Sequence, residues 1–298
     1  MAAWKGQTRG GIAGYKIFIG ILKYLGLPFA YFLLRFVAFY FFVSAPVSFR
    51  NIFCFYRKRL RFGFFRSVLA VYRNYYAFGQ VILDKTATMG GFNARFSFDF
   101  DGELHLRELA KAGSGGLLIS AHIGNFEMAG QMLERLDTTV NIVMLDAEHR
   151  RIKDYLSAIT RKSFHVIPIG DDNAHVYEIS QVLKNHEIVC MHGDRFLPGS
   201  KTLTGDFLGE RARFPTGPFY LAMKYQVPVS FVFAMKESNR HYHFFATRPR
   251  LYALQASMAK RDDMLRTIIG DYIVALEEKI KGYPYQWFNY YDFWHEAN

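Results

Sequence analysis

Leu117-Leu118-Ile119-Ser120-Ala121-His122-Ile123-Gly124-Asn125-Phe126-Glu127 is the stretch whose reading decides the fold. Its opening is a short apolar run, and the Gly113-Ser114-Gly115-Gly116 before it forms turns readily. That combination predicts a buried strand entered from a loop. A Gly-Asn turn then leads into a helix that starts near Phe126. Strand, turn and helix in this order put His122 at the carboxyl end of a strand, where open α/β sheets hold their ligand crevices. Glu127 falls in the first helical turn, close to the positive end of the helix dipole.

The same alternation continues outward. Thr139–Leu145 and Phe164–Ile169 read as strands, and Arg150–Arg161 between them carries Ile152, Tyr155, Leu156 and Ile159 at helical spacing. Ala174–Lys184 reads as a helix followed by the apolar run Glu187–Met191. A helix from about Pro218, a strand over Val227–Met235 and a long helix over Met258–Lys281 complete the pattern. It predicts an α/β fold, a layered and largely parallel sheet flanked by helices. No internal repeat or low-complexity linker interrupts it.

The amino-terminal part has a different character. The 298 residues carry a net charge of +11, yet the first 83 hold twelve Lys/Arg and no Asp or Glu. The rest is nearly balanced, with 25 basic and 26 acidic groups. The expected organisation is therefore a basic, aromatic, membrane-anchoring helical segment over 1–83 and an α/β domain over 84–298. A basic end of this kind points to a polyanionic surface. Between the cations runs Tyr24–Phe49, 26 residues with Arg35 as the only charge. Arg35 divides the run, and Pro28 and Pro46 disturb its ends, so an interfacial or shallowly inserted anchor is easier than a clean span. No small-residue cleavage site follows, so it does not read as a secretory signal. A buried core helix is the bland alternative. Nucleic acid is excluded as the partner, because exposed single aromatics among cations would be needed, not a continuous apolar run. Two cysteines, Cys54 and Cys190, make no disulfide framework and fit a reducing, cytosol-facing location.

Chemistry concentrates at His122 and Glu127. The five-residue separation lets the turn bring the carboxylate back toward the imidazole, and a base so held takes a proton from a hydroxyl or amine near neutral pH. A Gly-x-Ser-x-Gly elbow is absent, so the acceptor itself is the nucleophile. Taken alone, the same spacing also fits a strand-end histidine and a helix-start carboxylate with purely structural roles. His241 and His243 share a strand face without an evident third ligand, so no metal is expected. Gly113–Gly116 lacks the lysine of a phosphate loop. The remaining histidines, His192 among them, read as structural.

The string His122-Ile123-Gly124-Asn125-Phe126-Glu127 resembles the first signature block of the bacterial lipid A late acyltransferases, a branch of the lysophospholipid acyltransferase superfamily. That branch commonly has Trp where Phe126 stands. Gly193-Asp194-Arg195, Phe207-Leu208-Gly209, Phe214-Pro215-Thr216-Gly217-Pro218 and Leu221-Ala222 resemble its later blocks in order and spacing, and Pro284-Tyr285-Gln286-Trp287 resembles its closing stretch. The resemblance covers about residues 15–295. It implies a glycerolipid-acyltransferase-like fold and transfer of a fatty acyl group from an acyl carrier protein or coenzyme A thioester to a hydroxyl, or amine, of a lipid acceptor. The enzyme would work at the cytoplasmic face of a bacterial inner membrane without a cofactor. It further implies His122 as general base, Glu127 as its orienter, and Asp194 and Arg195 as substrate-positioning or charge-stabilising groups. A developing oxyanion needs donors, and Arg195 or the turn amides at Gly124 and Asn125 are the choices. Pro215, Thr216 and Gly217 are expected to shape the turn into the helix at Pro218.

After Trp287 the branch often carries a basic run, whereas this chain reads Phe288-Asn289-Tyr290-Tyr291-Asp292-Phe293-Trp294. If that tail faces the acceptor, a lipid poorer in phosphate than lipid A is expected; otherwise the tail packs on the sheet. Arg211 and Arg213 are the cations left to replace the missing run. The competing readings are a superfamily acyltransferase for glycosyl-inositol or glycerophosphate acceptors, and a non-catalytic membrane scaffold that keeps the fold.

Overall fold

The computed structural model describes residues 11–92, 95–125, 128, 138–145, 165–169, 174–196, 199–255 and 257–294. Phe126, Glu127 and the helix expected over Arg150–Arg161 lie outside the described residues. Four helices open the chain: α1 (Gly11–Tyr24), α2 (Gly26–Ser44), α3 (Pro46–Cys54) and α4 (Phe64–Met89). Pro28 is accommodated in the first turn of α2, and Pro46 starts α3, where its missing N–H is no loss. A short π-helical turn, Phe55–Arg59, joins α3 to the approach of α4.

The α/β part contributes β1 (Ser97–Asp101), α5 (Glu103–Ala112), β2 (Gly116–Ser120), β3 (Val140–Leu145), β4 (His165–Ile169), α6 (Ala174–Lys184) and β5 (Ile188–His192). A hairpin of β6 (Thr202–Phe207) and β7 (Glu210–Pro215) follows, then α7 (Gly217–Tyr225), β8 (Val229–Lys236), β9 (His241–Ala246) and α8 (Met258–Gly282). Seven strands form one sheet in the order β1-β9-β8-β2-β5-β3-β4. Every pairing in it is parallel except β8 with β9. The largely parallel layered α/β fold read from the sequence is therefore the observed one. Pro168 lies in β4, at the sheet edge, where a missing donor is tolerated.

All five residues of β2 are buried, as expected of a central strand covered on both faces. The β6–β7 hairpin turns through Leu208 and Gly209, both at positive φ (50° and 81°), which is what a two-residue turn between twisted strands requires. The Phe207-Leu208-Gly209 block is thus a turn signal, and Pro215-Thr216-Gly217 leads into α7 as anticipated.

The charge break at Asp84 falls inside α4. One hydrophobic cluster also joins Ile52, Phe55, Tyr56 and Val71 of the helical part to Leu117 and Ile119 of β2. The aromatic tail belongs to that cluster. Phe207 lies 5.5–5.7 Å, centroid to centroid, from the rings of Phe214, Phe293, Trp287 and Trp294. Tyr290 stacks on Tyr75 at 5.7 Å. Phe288, Phe293 and Trp294 of the tail are thus packed in the core, while Asp292 is exposed.

Phe207→Ala should open a cavity under both Trp287 and Trp294. The cost expected for such a truncation is about 3–5 kcal/mol. A lowered thermal midpoint of the detergent-solubilised protein reads it out; an unchanged midpoint would mean the tail does not hold this core together.

Candidate active site

Parallel pairing sets Ser120, the last residue of β2, opposite His192, the last of β5. The two loops leaving these strand ends meet. Gly193 N donates to Ser120 O at 2.9 Å, and Tyr272 Oη donates to the same carbonyl at 2.9 Å. Asp194 is buried and accepts two hydrogen bonds from His122, one from the backbone N to Oδ2 at 2.9 Å and one from ring Nδ1 to Oδ1 at 2.8 Å. The histidine and the aspartate, read from the sequence in separate blocks, are direct partners. Their spacing of 72 residues is bridged only by the register of β2 with β5.

Burial works against the Asp194 carboxylate, but electrostatic attraction to His122, then the His122 hydrogen bond, Arg195 and His192, outweigh it and hold its pKa far below the usual range. Burial also lowers the pKa of His122, with Asp194 opposing and Arg195 assisting. The resulting state is an ionised carboxylate beside a neutral imidazole. Donation to that carboxylate places the ring proton on Nδ1 and makes Nε2 the basic atom.

The His122 loop is held by a segment from the far end of the chain. Phe288 N donates to His122 O at 2.8 Å, and Gly124 N donates to Gln286 O at 2.9 Å, with Ile123 and Trp287 forming an antiparallel bridge. Asn74 of α4 in turn donates through Nδ2 to Trp287 O at 2.9 Å and to Tyr285 O at 3.1 Å. Gly124 has φ +61°, and a Cβ there would come within 2.0 Å of Ala234 O. Glycine is required by both conformation and space. Asn125 is buried; its N donates to Ala234 O at 2.7 Å, and its Oδ1 accepts from Met128 N at 3.3 Å. The amides of Gly124 and Asn125 are therefore engaged by Gln286 and Ala234. In this arrangement they shape the loop.

Arg195 donates through Nη2 to Phe288 O at 2.7 Å and lies over the Tyr291 ring at 5.9 Å. Arg213 sits on β7, donating to Thr202 Oγ1 at 2.9 Å with its guanidinium 5.6 Å from the Phe196 ring. Five of the sequence candidates, His122, Gly124, Asn125, Asp194 and Arg195, thus gather at one end of β2 and β5. Arg213 stands on the hairpin.

His192, read from the sequence as structural, stands beside His122. Its ring centroid is 4.2 Å from that of His122, and burial, then the nearby His122, push its pKa well down. The available signal was its place two residues before Asp194 at the end of an apolar run. His241 and His243 face carboxylates at the other side of the sheet, with His241 Nε2 3.3 Å from Asp99 and His243 Nε2 3.2 Å from Asp101. Among the described residues no group of three metal-binding side chains has the geometry for an ion.

A neutral imidazole aligned by a buried carboxylate at the strand ends of an α/β sheet is the equipment of general-base chemistry. Comparison with known proteins gives the family. The model of the bacterial lipid A biosynthesis acyltransferase family matches residues 71–295, and the chain belongs to that family. A phosphatidylinositol mannoside acyltransferase of Mycobacterium tuberculosis (strain ATCC 25618 / H37Rv) is 33% identical over 128 residues, covering 40% of this chain and 38% of the relative. Its counterpart in Mycolicibacterium smegmatis is 29% identical over 125 residues, 40% of each chain. The matched region thus spans about two fifths of the length of these curated relatives. A solved 1-acyl-sn-glycerophosphate acyltransferase, PlsC, of Thermotoga maritima aligns over 84% of this chain and 97% of its own, with 16% identity and a TM-score of 0.39.

The lowered pKa values set the acid response. His122 and His192 resist protonation when folded but take protons near pH 6.5 once unfolded. Their contribution is therefore present above about pH 6.5 and lost as pH falls below it. Asp194 adds a loss only in stronger acid, as pH drops below the ordinary carboxylate range toward its depressed folded value. The unfolding midpoint should decline from pH 7.5 to pH 5, and His192→Gln should flatten that decline. A midpoint that stays level over this range would contradict the neutral histidine pair.

Proposed function

We propose that this acyltransferase moves a fatty acyl group from an acyl carrier protein or coenzyme A thioester to a hydroxyl of a membrane lipid, with His122 as general base. The observation that carries the reading is the Nδ1 hydrogen bond from His122 to the buried Asp194 carboxylate. Nε2 takes the acceptor's hydroxyl proton as the oxygen attacks the thioester carbonyl carbon. The tetrahedral intermediate collapses, the carbon–sulfur bond breaks, and the thiol leaves with the proton held at Nε2. Asp194 stabilises the transient imidazolium. Arg195, whose charge bears on both His122 and Asp194, is proposed to face the oxyanion. Glu127, five residues from His122, is proposed as a second carboxylate acting on the same ring.

The membrane reading rests on α2, a 19-residue helix long and apolar enough to cross a bilayer. Leu27, Ala30, Tyr31, Leu34 and Ala38 form its buried face, while Phe29, Phe32, Phe36, Phe39, Tyr40 and Val43 are exposed. Phe64 and Phe65 are exposed beside Arg57, Lys58, Arg61 and Arg66. An exposed apolar helix face and exposed cations in the same amino-terminal part suit partial insertion into an anionic leaflet, here proposed to be the cytoplasmic side of a bacterial inner membrane. For the acceptor, the family description and the relatives' names both involve sugar-bearing lipids, and a hydroxylated glycolipid is the proposed class. Phe293 and Trp294 pack in the core, which leaves Tyr291 beside Arg195 and the exposed Asp292 as the part of the tail that bears on phosphate.

His122→Ala should lower turnover at least about 10²-fold, the usual contribution of a general base. Asp194→Asn should come close to it, and Glu127→Ala should be milder. Mass spectrometry of total lipids from cells with wild type and with His122→Ala identifies the product. A wild-type lipid profile from folded His122→Ala protein would remove the mechanism. Binding to anionic vesicles should weaken only partly in high salt, because burial of α2 aromatics does not depend on ionic strength. Complete release by salt would remove the inserted anchor.

A further inference from the structure

One cluster of buried ionisable groups takes no part in that chemistry. Asp84 of α4 is fully buried. Its carboxylate accepts from Tyr31 of α2, from Lys236 at the end of β8, and from Tyr242 of β9. Lys236 Nζ also donates to Tyr31 Oη at 3.0 Å and to Asn239 O at 3.2 Å. An ion pair of this kind gains little stability over an apolar filling, since removing both charges from water costs as much as their attraction returns. What a fully connected network does supply is a single geometry.

Two branches lead from Asp84 to the His122 loop. In the first, Tyr242 Oη accepts from Asn125 Nδ2 at 3.2 Å. In the second, Lys236 brackets Gln286 through its backbone, its N donating to Oε1 at 2.9 Å and its O accepting from Nε2 at 2.7 Å. Gln286 O then receives the Gly124 amide at 2.9 Å. A third branch runs the other way through Tyr31 into α2, whose opposite face exposes Phe29, Phe32 and Phe36.

We infer that Asp84 and Lys236, with Tyr31 and Tyr242, are positioning residues that tie the seating of the lipid-facing helix α2 to the placement of the loop bearing His122. The functional half of this inference rests on His122 being the acyl-transfer base; the mechanical half does not. Tyr31 fixes where α2 sits against the sheet, and Tyr242 and Gln286 fix Asn125 and Gly124 relative to the same carboxylate. A shift of α2 against α4 therefore reaches the Asn125 side chain through one shared carboxylate.

The test uses the full chain in detergent micelles. Asp84→Ala would strand the Lys236 charge and risks unfolding, so Tyr31→Phe and Tyr242→Phe, each losing one hydroxyl, are the informative variants. Amide hydrogen exchange followed by mass spectrometry should rise at 121–125 and 284–288 in Tyr242→Phe while α8 keeps its protection. Tyr31→Phe should raise exchange in α2 and, more weakly, at 121–125. With palmitoyl-CoA as donor and water as acceptor, Tyr242→Phe should lower kcat about 10-fold with KM changed less than twofold. The double variant should lose less than the product of the two single effects, because both hydroxyls act through Asp84. Exchange at 121–125 unchanged in both variants, or raised equally throughout the chain, would overturn the inference. The local exchange pattern in the variants, together with a wild type inactive on palmitoyl-CoA and water, would count against that donor and acceptor pair and leave the coupling supported.

Discussion

A buried carboxylate must find donors, and Asp194 finds two on one residue. The backbone N and ring Nδ1 of His122 converge on its two oxygens, and most of the surrounding structure serves to keep that meeting in place. Parallel pairing of β2 and β5 aligns the strand ends. The Gly193-to-Ser120 and Tyr272-to-Ser120 bonds then close the junction behind them. The chain's far end crosses the His122 loop as a short antiparallel strap, itself held by Asn74 of α4. The side chains of Asn74, His122 and Asp194 and the backbone of 286–288 thus specify one imidazole orientation, and no local segment does so alone.

The aromatic composition has two destinations. One set, Phe29, Phe32, Phe36 and Phe39, is turned outward on α2. The other, Phe207, Phe214, Phe293, Trp287 and Trp294, is locked into edge-to-face and stacked contacts beneath the site. Rings of this size bury large areas with few rotors, so a packed aromatic floor is a rigid one. The strap can carry His122 because it stands on that floor. The cations of the amino-terminal part divide likewise. Arg59 lies over the Trp294 ring at 4.5 Å and pairs with Glu210, whereas Arg57, Lys58, Arg61 and Arg66 are exposed.

Local pattern carried the strand order of events well. The apolar run before His122 is β2, Val227–Met235 contains most of β8, and the long terminal helix starts at Met258 as its spacing indicates. The family resemblance also singled out His122, Asp194 and Arg195, which the structure brings to one place. Their partnership was not legible, because 72 residues separate His122 from Asp194 and only sheet register joins them. The closeness of His192 to His122 was hidden for the same reason: a lone histidine ending a strand has no local signature until the neighbouring strand is known. Charge counting suggested a boundary at Asp84, yet that first acidic residue lies inside α4 as the hub that binds α2 and α4 to the sheet. The tail after Trp287 has no helical or strand period, and its packing is set by ring shape and not by any alternation.

The most direct test of the central pairing is the 15N spectrum of the His122 ring at pH 7.5. Comparing wild type with Asp194→Asn and Glu127→Gln separates the two carboxylates. Donation to Asp194 requires a neutral ring protonated at Nδ1 with a basic Nε2, and Asp194→Asn should disturb that tautomer because an amide can donate to Nδ1 in turn. A wild-type ring protonated at Nε2, or one that responds to Glu127→Gln and ignores Asp194→Asn, would contradict Asp194 as the group that orients the base.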